Sequence, residues 1–307
     1  MSAEPSINVS PDATPPAPTT PPEAGPARPA ISGVFGVLII AQLLVLGLGC
    51  VVGVLYVAGP PQPGLIRKEV VAQMTGDPTF VIFALCATQA AVALALWKGP
   101  RAFETIPAGG MATRLGWSDE PIQWLDVLVV LAGTLACSPL VMVPLRLVRG
   151  PPTGALATFG KAATETSAAQ FAVLVLVGAV GAGLLEELLF RGFTQRRLVE
   201  RWGVGRGVVV TSMIFAIWHL DLEQGLYAFA VGLWLGFAAA RTGSTVTVAL
   251  AHVTNNLWSF VGHRLLDSQP DEVEPLAIPI GGVVLAASAW ALWRLTAVRS
   301  SRRTLPG

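Results

Sequence analysis

Charge is scarce in this chain of 307 residues: Asp, Glu, Lys and Arg together make up 13% of it, about half the share of an ordinary soluble domain. With 53% hydrophobic residues and a mean hydropathy of +0.62, that shortage excludes a soluble globular domain and describes a polytopic membrane protein. A net charge of +1 supplies no basic surface for nucleic acid. Cysteine is equally sparse. Cys50, Cys86 and Cys137 are odd in number, far apart and set in apolar runs, so neither a disulfide framework nor a CxxC metal site is indicated, and small apolar filler is the reading that remains. Residues 1–30 lack any aromatic side chain and hold one basic residue, Arg28, among Pro, Ala and Thr. Such a segment cannot bury enough surface to fold and is expected to be a disordered, Pro-rich cytoplasmic tail. It has no basic n-region, and the apolar run after it is too long for a signal peptide.

Long apolar runs are what the chain has in place of charge. Ser32 to Ala58 exceeds the ~20 residues that cross a bilayer and ends at Pro60, Pro61, Pro63 and Gly64. A connector with Arg67, Lys68 and Glu69 leads to a second span at about Thr79–Trp97. An amphipathic stretch with Arg114, Trp117, Asp119 and Glu120 suits the membrane surface. The third span, about Ile122–Leu145, contains Asp126, expected to snorkel to the headgroups. The fourth is Ala168–Arg191, followed by an arginine-rich segment to Gly203 that reads as an interfacial helix. Shorter runs follow at about Arg206–Leu220, Gly225–Ala240, Ser244–Val261 and Ile278–Leu295. The expected fold is therefore all-α: a polytopic bundle of about eight transmembrane helices over residues 31–299, with a short basic tail at 300–307. Eight spans put both termini on one side, which collects fourteen Lys and Arg residues against six opposite. The positive-inside rule then makes both termini cytoplasmic, in a multi-pass protein of the cell membrane, and puts the loop with Asp267, Asp271, Glu272 and Glu274 outside. Gly49 with Gly53, and Gly232 with Gly236, have the GxxxG spacing that allows close helix approach.

Two adjacent acids, Glu186 and Glu187, interrupt the fourth span. Ionisable groups at membrane depth are costly and point by default to a functional site. Arg191 follows Glu187 by four residues, so the two share a helix face and can neutralise each other. Glu186 is rotated about 100° away and is free to face something else. Histidine is rare: His219, His252 and His263 are the only three, and two of them lie well inside spans. Phe215 and His219 are four apart on one span, as are His252 and Asn256 on another. Three spans that each carry a polar face are hard to explain as packing, since each unpaired group would cost a few kcal/mol in hydrocarbon. A wet cavity on which they converge is the simplest account.

The residue types suit hydrolysis. A glutamate in an apolar setting can take a proton from water and return it to a leaving amine, and histidine and asparagine can donate hydrogen bonds to a developing oxyanion. No serine or cysteine sits at comparable depth in these motifs to serve as a covalent nucleophile. The competing chemistry is zinc held by His219 and His252 beside a carboxylate. The HExxH spacing is absent, which favours glutamate-activated water with no cofactor.

The set Glu186-Glu187-x-x-x-Arg191, Phe215-x-x-x-His219 and His252-x-x-x-Asn256, in that order on successive spans, resembles the three motifs of the CPBP family, the type II CAAX prenyl endopeptidases and related bacteriocin-processing and immunity proteins. The resemblance covers about residues 120–265. It implies an eight-helix intramembrane bundle with a cavity open to the cytoplasm and an endopeptidase acting on membrane-associated, CAAX-like proteins. It also implies catalytic roles for Glu186, His219, His252 and Asn256, with Glu187, Arg191 and Phe215 in support. The family is described both as metalloproteases and as glutamate proteases. Two other classes use the same residues: a proton-coupled transporter with the buried acid and histidines as a relay, and a noncatalytic immunity or scaffold protein. Straight helices would leave Glu186 near the cytoplasmic end of span four and His219 near the far end of span five. Either span four continues past Arg191 within the bundle, or span five is displaced.

Overall fold

The computed structural model describes residues 31–57, 77–103, 110, 112, 115–117, 121–266 and 276–303. The expected tail at 1–30, the connector of Arg67, Lys68 and Glu69, the surface residues Arg114, Asp119 and Glu120, and the acidic loop after the seventh span lie outside these. Among the described residues the helices are α1 Ile31–Val57, α2 Pro78–Phe103, α3 Trp124–Arg149, α4 Gly154–Glu165, α5 Ala168–Trp202, α6 Val204–Trp218, α7 Leu222–Thr242, α8 Thr245–Leu266 and α9 Ala277–Arg303. The all-helical membrane bundle is as the composition predicts. Six helices, α1, α2, α3, α5, α7 and α9, are long and apolar enough to cross a membrane. α6 is apolar but has only 15 residues. α8 has 22 but is diluted by His252, Asn255, Asn256, Ser259, His263 and Arg264. α4 is a short additional helix that hydropathy does not predict, and α9 runs on to Arg303, through residues expected to be tail.

α5 departs most from expectation. No interfacial helix begins at Gly192. The chain stays helical for 35 residues, about 50 Å at 1.5 Å per residue against a hydrocarbon core of about 30 Å. Leu189, Phe190, Phe193 and Leu198 are buried together with Arg191, Gln195 and Arg197. The segment is amphipathic because its polar face meets other helices. Two π-helical stretches, Val175–Gly181 and Leu188–Gln195, flank the acids; π-turns are rare and recur at functional sites. After Trp202 the chain reverses at Gly203, whose φ of +82° suits glycine, and α6 returns alongside α5. α6 is about 22 Å long, so it ends near the depth of Glu187, about 20 Å up α5 from the same turn. His219 is therefore brought to about the depth of the acids because α5 continues inside the bundle.

Asp126 corrects a second expectation. Rather than snorkelling, it is buried at 1% exposure and bound by both terminal nitrogens of Arg299. This ties the start of α3 to the end of α9, two helices that pack along each other. Gly232 and Gly236 fulfil the close-approach reading, with a Cβ at either position meeting Ser212, Val208 or Gln195. Gly49 does not, since nothing lies within 4 Å of its missing Cβ. The acids of α5 sit between an apolar cluster of α1, α2 and α6 residues, including Val37, Val92 and Phe215, and the helices α7 and α8.

Candidate active site

Glu187 is fully buried on α5, and its Oε1 accepts two hydrogen bonds, from Arg191 at 2.5 Å and from His252 Nδ1 at 2.7 Å. The predicted i,i+4 pair is thus present, with a histidine from α8 as an additional partner. Arg191 is equally buried. Its second terminal nitrogen donates to the Gly232 carbonyl at 3.3 Å, and its guanidinium lies 4.6 Å from the centroid of the Phe215 ring, a favourable cation–π placement. One turn further along, Gln195 Nε2 donates to the Gly236 carbonyl at 2.8 Å. The small pair on α7 therefore does more than pack, because it lets backbone carbonyls reach side chains of α5.

Phe215 joins the motifs. Its ring meets His219 edge-on at 4.9 Å, Phe190 at 4.9 Å and His252 at 6.1 Å between centroids. His219 Nδ1 lies 2.8 Å from the Phe215 carbonyl. A carbonyl can only accept, so Nδ1 carries a proton, and in a neutral ring the lone pair is then on Nε2. The same argument holds for His252 against the Glu187 carboxylate. Neutral histidines held this way present Nε2 as an acceptor, so donation to an oxyanion, expected from residue type alone, requires that they first take up a proton. Asn256 can donate without that step.

Glu186 is half-buried and makes no hydrogen bond to any described residue. The two acids thus diverge, with Glu187 hydrogen-bonded to Arg191 and His252, and Glu186, near enough for its charge to act on Arg191, making no hydrogen bond to a described residue. A neighbour not singled out in the sequence is Asn255, buried, accepting from Tyr227 at 3.2 Å and donating to Asn256 Oδ1 at 3.4 Å. Adjacent asparagines on one helix point about 100° apart, and only the contact with α7 separates their tasks. His263 lies apart from the site and bonds the Ser259 carbonyl of its own helix.

The turn bearing His219 is fixed from outside. Leu220 takes φ +52°, a strained value for a β-carbon residue, and Asp221 caps α7 by accepting from Gln224 N at 2.8 Å while also bonding Ala155 N at 3.2 Å. Glu223 accepts from the backbone and hydroxyl of Thr153, each at 2.8 Å. The strain next to His219 is held by α4, the helix that hydropathy did not predict.

Gly183, one turn before the acids, sets the distance between α5 and α8. A Cβ there would lie 2.8–2.9 Å from backbone and side-chain atoms of Val253, one residue from His252. Gly183→Ala is therefore expected to push α8 outward, lengthen the His252–Glu187 bond and lower the midpoint of thermal unfolding by several degrees. Thermal scanning of the detergent-purified protein checks this, and an unchanged midpoint would show that the contact yields freely.

The two Nε2 atoms are chemically suited to a metal, and Glu187 Oε2 is a buried carboxylate oxygen without a hydrogen-bond partner. Glu187 Oε1 is occupied by Arg191 and His252, and no group of three or more His, Cys, Asp or Glu side chains among the described residues is placed to hold a metal ion.

Comparison with known proteins places this geometry. Residues 168–258 match the family described as Rce1-like, type II CAAX prenyl endopeptidase Rce1-like. That segment is similar to this family. The match holds Glu186, Glu187, Arg191, Phe215, His219, His252 and Asn256, and it lies inside the 120–265 region of resemblance. The chain is also 30% identical over 84 residues to the Bacillus subtilis (strain 168) protein named "Putative membrane peptidase YdiL", covering 27% of this chain and 34% of that relative. The similarity thus spans about a third of the relative's length. No solved structure matches the chain significantly. The matched segment runs from α5 into α8, and the other helices of this multi-pass membrane protein pack beside it.

Proposed function

We propose that the chain is an intramembrane endopeptidase in which Glu186 activates water. The observation that carries this is the division of labour between the two acids. Glu187, saturated on one oxygen by Arg191 and His252, positions a histidine, whereas Glu186 has a carboxylate free for a substrate water. Glu186 takes a proton from the water as its oxygen attacks the scissile carbonyl carbon, and the electron pair of the C=O bond moves to oxygen. Asn256 Nδ2 donates to that oxyanion, joined by His219 or His252 when protonated at Nε2. The oxyanion pair then re-forms the C=O bond as the C–N bond breaks, and Glu186 passes its proton to the departing amine nitrogen, leaving a carboxylic acid and an amine. Phe215 holds both imidazoles at fixed angles. The likeness to an Rce1-like family and to a named membrane peptidase supports the reaction class, and through the family's description suggests CAAX-like membrane-associated proteins as substrates. We also infer that the face where α5 ends, rich in arginine at 196, 197, 201 and 241, is cytoplasmic.

The test compares new peptide termini in membranes containing the wild type or the Glu186→Gln protein. Termini produced only by the wild type support a peptidase and begin to define its substrate. None at equal amounts of folded protein would turn preference to a proton-coupled transporter or a noncatalytic immunity protein. Water activated by Glu186 needs no metal, so activity is expected to survive dialysis against EDTA. Loss on dialysis with recovery on adding zinc would favour His219 and His252 as metal ligands.

A further inference from the structure

Three reversals join the helices from α5 to α8, and two of them turn on glycine: Gly203 with φ +82° and Gly243 with φ +69°. The third, between α6 and α7, turns on Leu220 at φ +52°, the only described residue other than glycine with a positive φ. A left-handed conformation disfavours a residue with a β-carbon by about tenfold in population. The Leu220 side chain is 66% exposed, so its own packing does not offset that cost. Strain of this kind persists only where the surroundings over-determine it, and the residue before it is His219.

Those surroundings are built on α4, which is tied down at both ends. At its start, Asp221 Oδ2 accepts from Ala155 N, and Glu223 accepts both donors of Thr153. Gly154 allows that approach, since a Cβ there would collide with Asp221 Oδ2. At its end, Arg264 of α8 donates to the carbonyls of Ala163 at 3.1 Å and Thr166 at 2.5 Å. Carboxylates at the start of a helix and a cation at its end also suit its dipole. α4 therefore reaches from the turn that bears His219 to the helix that bears His252 and Asn256. We propose that α4 is a strap that holds His219 in register with the other site residues, and that Asp221 and Glu223 are positioning residues that act on His219 through the strained backbone of Leu220. With the strap cut, Leu220 relaxes, the last turn of α6 rearranges and His219 Nδ1 loses the Phe215 carbonyl. The catalytic consequence rests on the hydrolytic reading, whereas the placement of the imidazole can be read without turnover.

The experiment uses the full chain in detergent micelles, isotopically labelled at its histidine ring nitrogens and read by nuclear magnetic resonance where the rings are neutral. The His219 signal is assigned by its loss in His219→Gln. Asp221→Asn combined with Glu223→Ala removes both carboxylates but leaves an amide oxygen to cap α7. This double variant is expected to lose the Nδ1–H tautomer of His219. Adding Leu220→Gly, for which a positive φ carries no steric cost, should restore it. Cleavage should follow, falling at least about tenfold in the double variant and returning to within about threefold of the wild type with Leu220→Gly. An unchanged tautomer in the double variant, or a lost one that Leu220→Gly does not restore in a folded protein, would overturn the proposal. Gel filtration reports folding, and where the double variant does not fold, Asp221→Asn alone is read by the same criteria. The expected tautomer changes in a protein that cleaves nothing would uphold the strap and reject only the peptidase.

Discussion

Glu186→Gln is expected to remove peptide-bond cleavage while leaving the amount of folded protein unchanged. The two halves of this result have separate causes. Loss of a general base costs about 10²–10⁴ in rate, and the amide, though the same shape, cannot take a proton from water. Folding should be indifferent, because Glu186 is half-buried and bonds no described residue, so the substitution leaves no partner orphaned. Glu187→Gln is the informative contrast. It changes the group that Arg191 and His252 share, and should reduce both stability and activity. Yield and monodispersity by gel filtration, read beside terminus production, separate the cases. A Glu186→Gln protein that keeps more than about a tenth of wild-type cleavage would be incompatible with the general-base role.

The sequence made some of this legible and hid the rest for physical reasons. Hydropathy finds apolar runs, so it located most of the spans, and spacing of four residues found the Glu187–Arg191 pair because a helix places those positions on one face. The same spacing could not tell that His252 would complete the pair, since that contact joins residues 65 apart in sequence. Arginine counts misled after Gly192. Of Arg196, Arg197 and Arg201, Arg197 is charged yet buried, bonded to the Phe193 carbonyl at 2.7 Å and lying over the Phe193 ring, while Arg196 is half-buried and Arg201 exposed. A buried cation with backbone partners is indistinguishable by composition from an interfacial one. Asp126 was misread in the same way, because its partner Arg299 is 173 residues away. The depth conflict between Glu186 and His219 arose from ending α5 at Arg191, and it vanishes once the helix runs to Trp202 and the short α6 returns beside it.

Arg191→Ala should be the substitution that the fold tolerates least. Removing one partner of a buried ion pair costs about 3–5 kcal/mol, against a total stability of about 5–15 kcal/mol for a typical domain, so a marked drop in folded yield is expected. The loss has three parts: Glu187 keeps only His252, the Gly232 carbonyl loses its donor, and the Phe215 ring loses the guanidinium stacked on it. Lysine should rescue little. A single ammonium lacks the planar fork that lets Arg191 reach Glu187 and Gly232 from one position over a ring. Combining Arg191→Ala with Glu187→Gln separates charge from shape, because without a carboxylate there is no unpaired ion to bury. The double variant should therefore fold better than the sum of the two single losses predicts, by a coupling of up to about 3 kcal/mol. Strict additivity would mean that Arg191 acts through its packing on Phe215 and its bond to α7, and that the ion pair contributes little to the bundle.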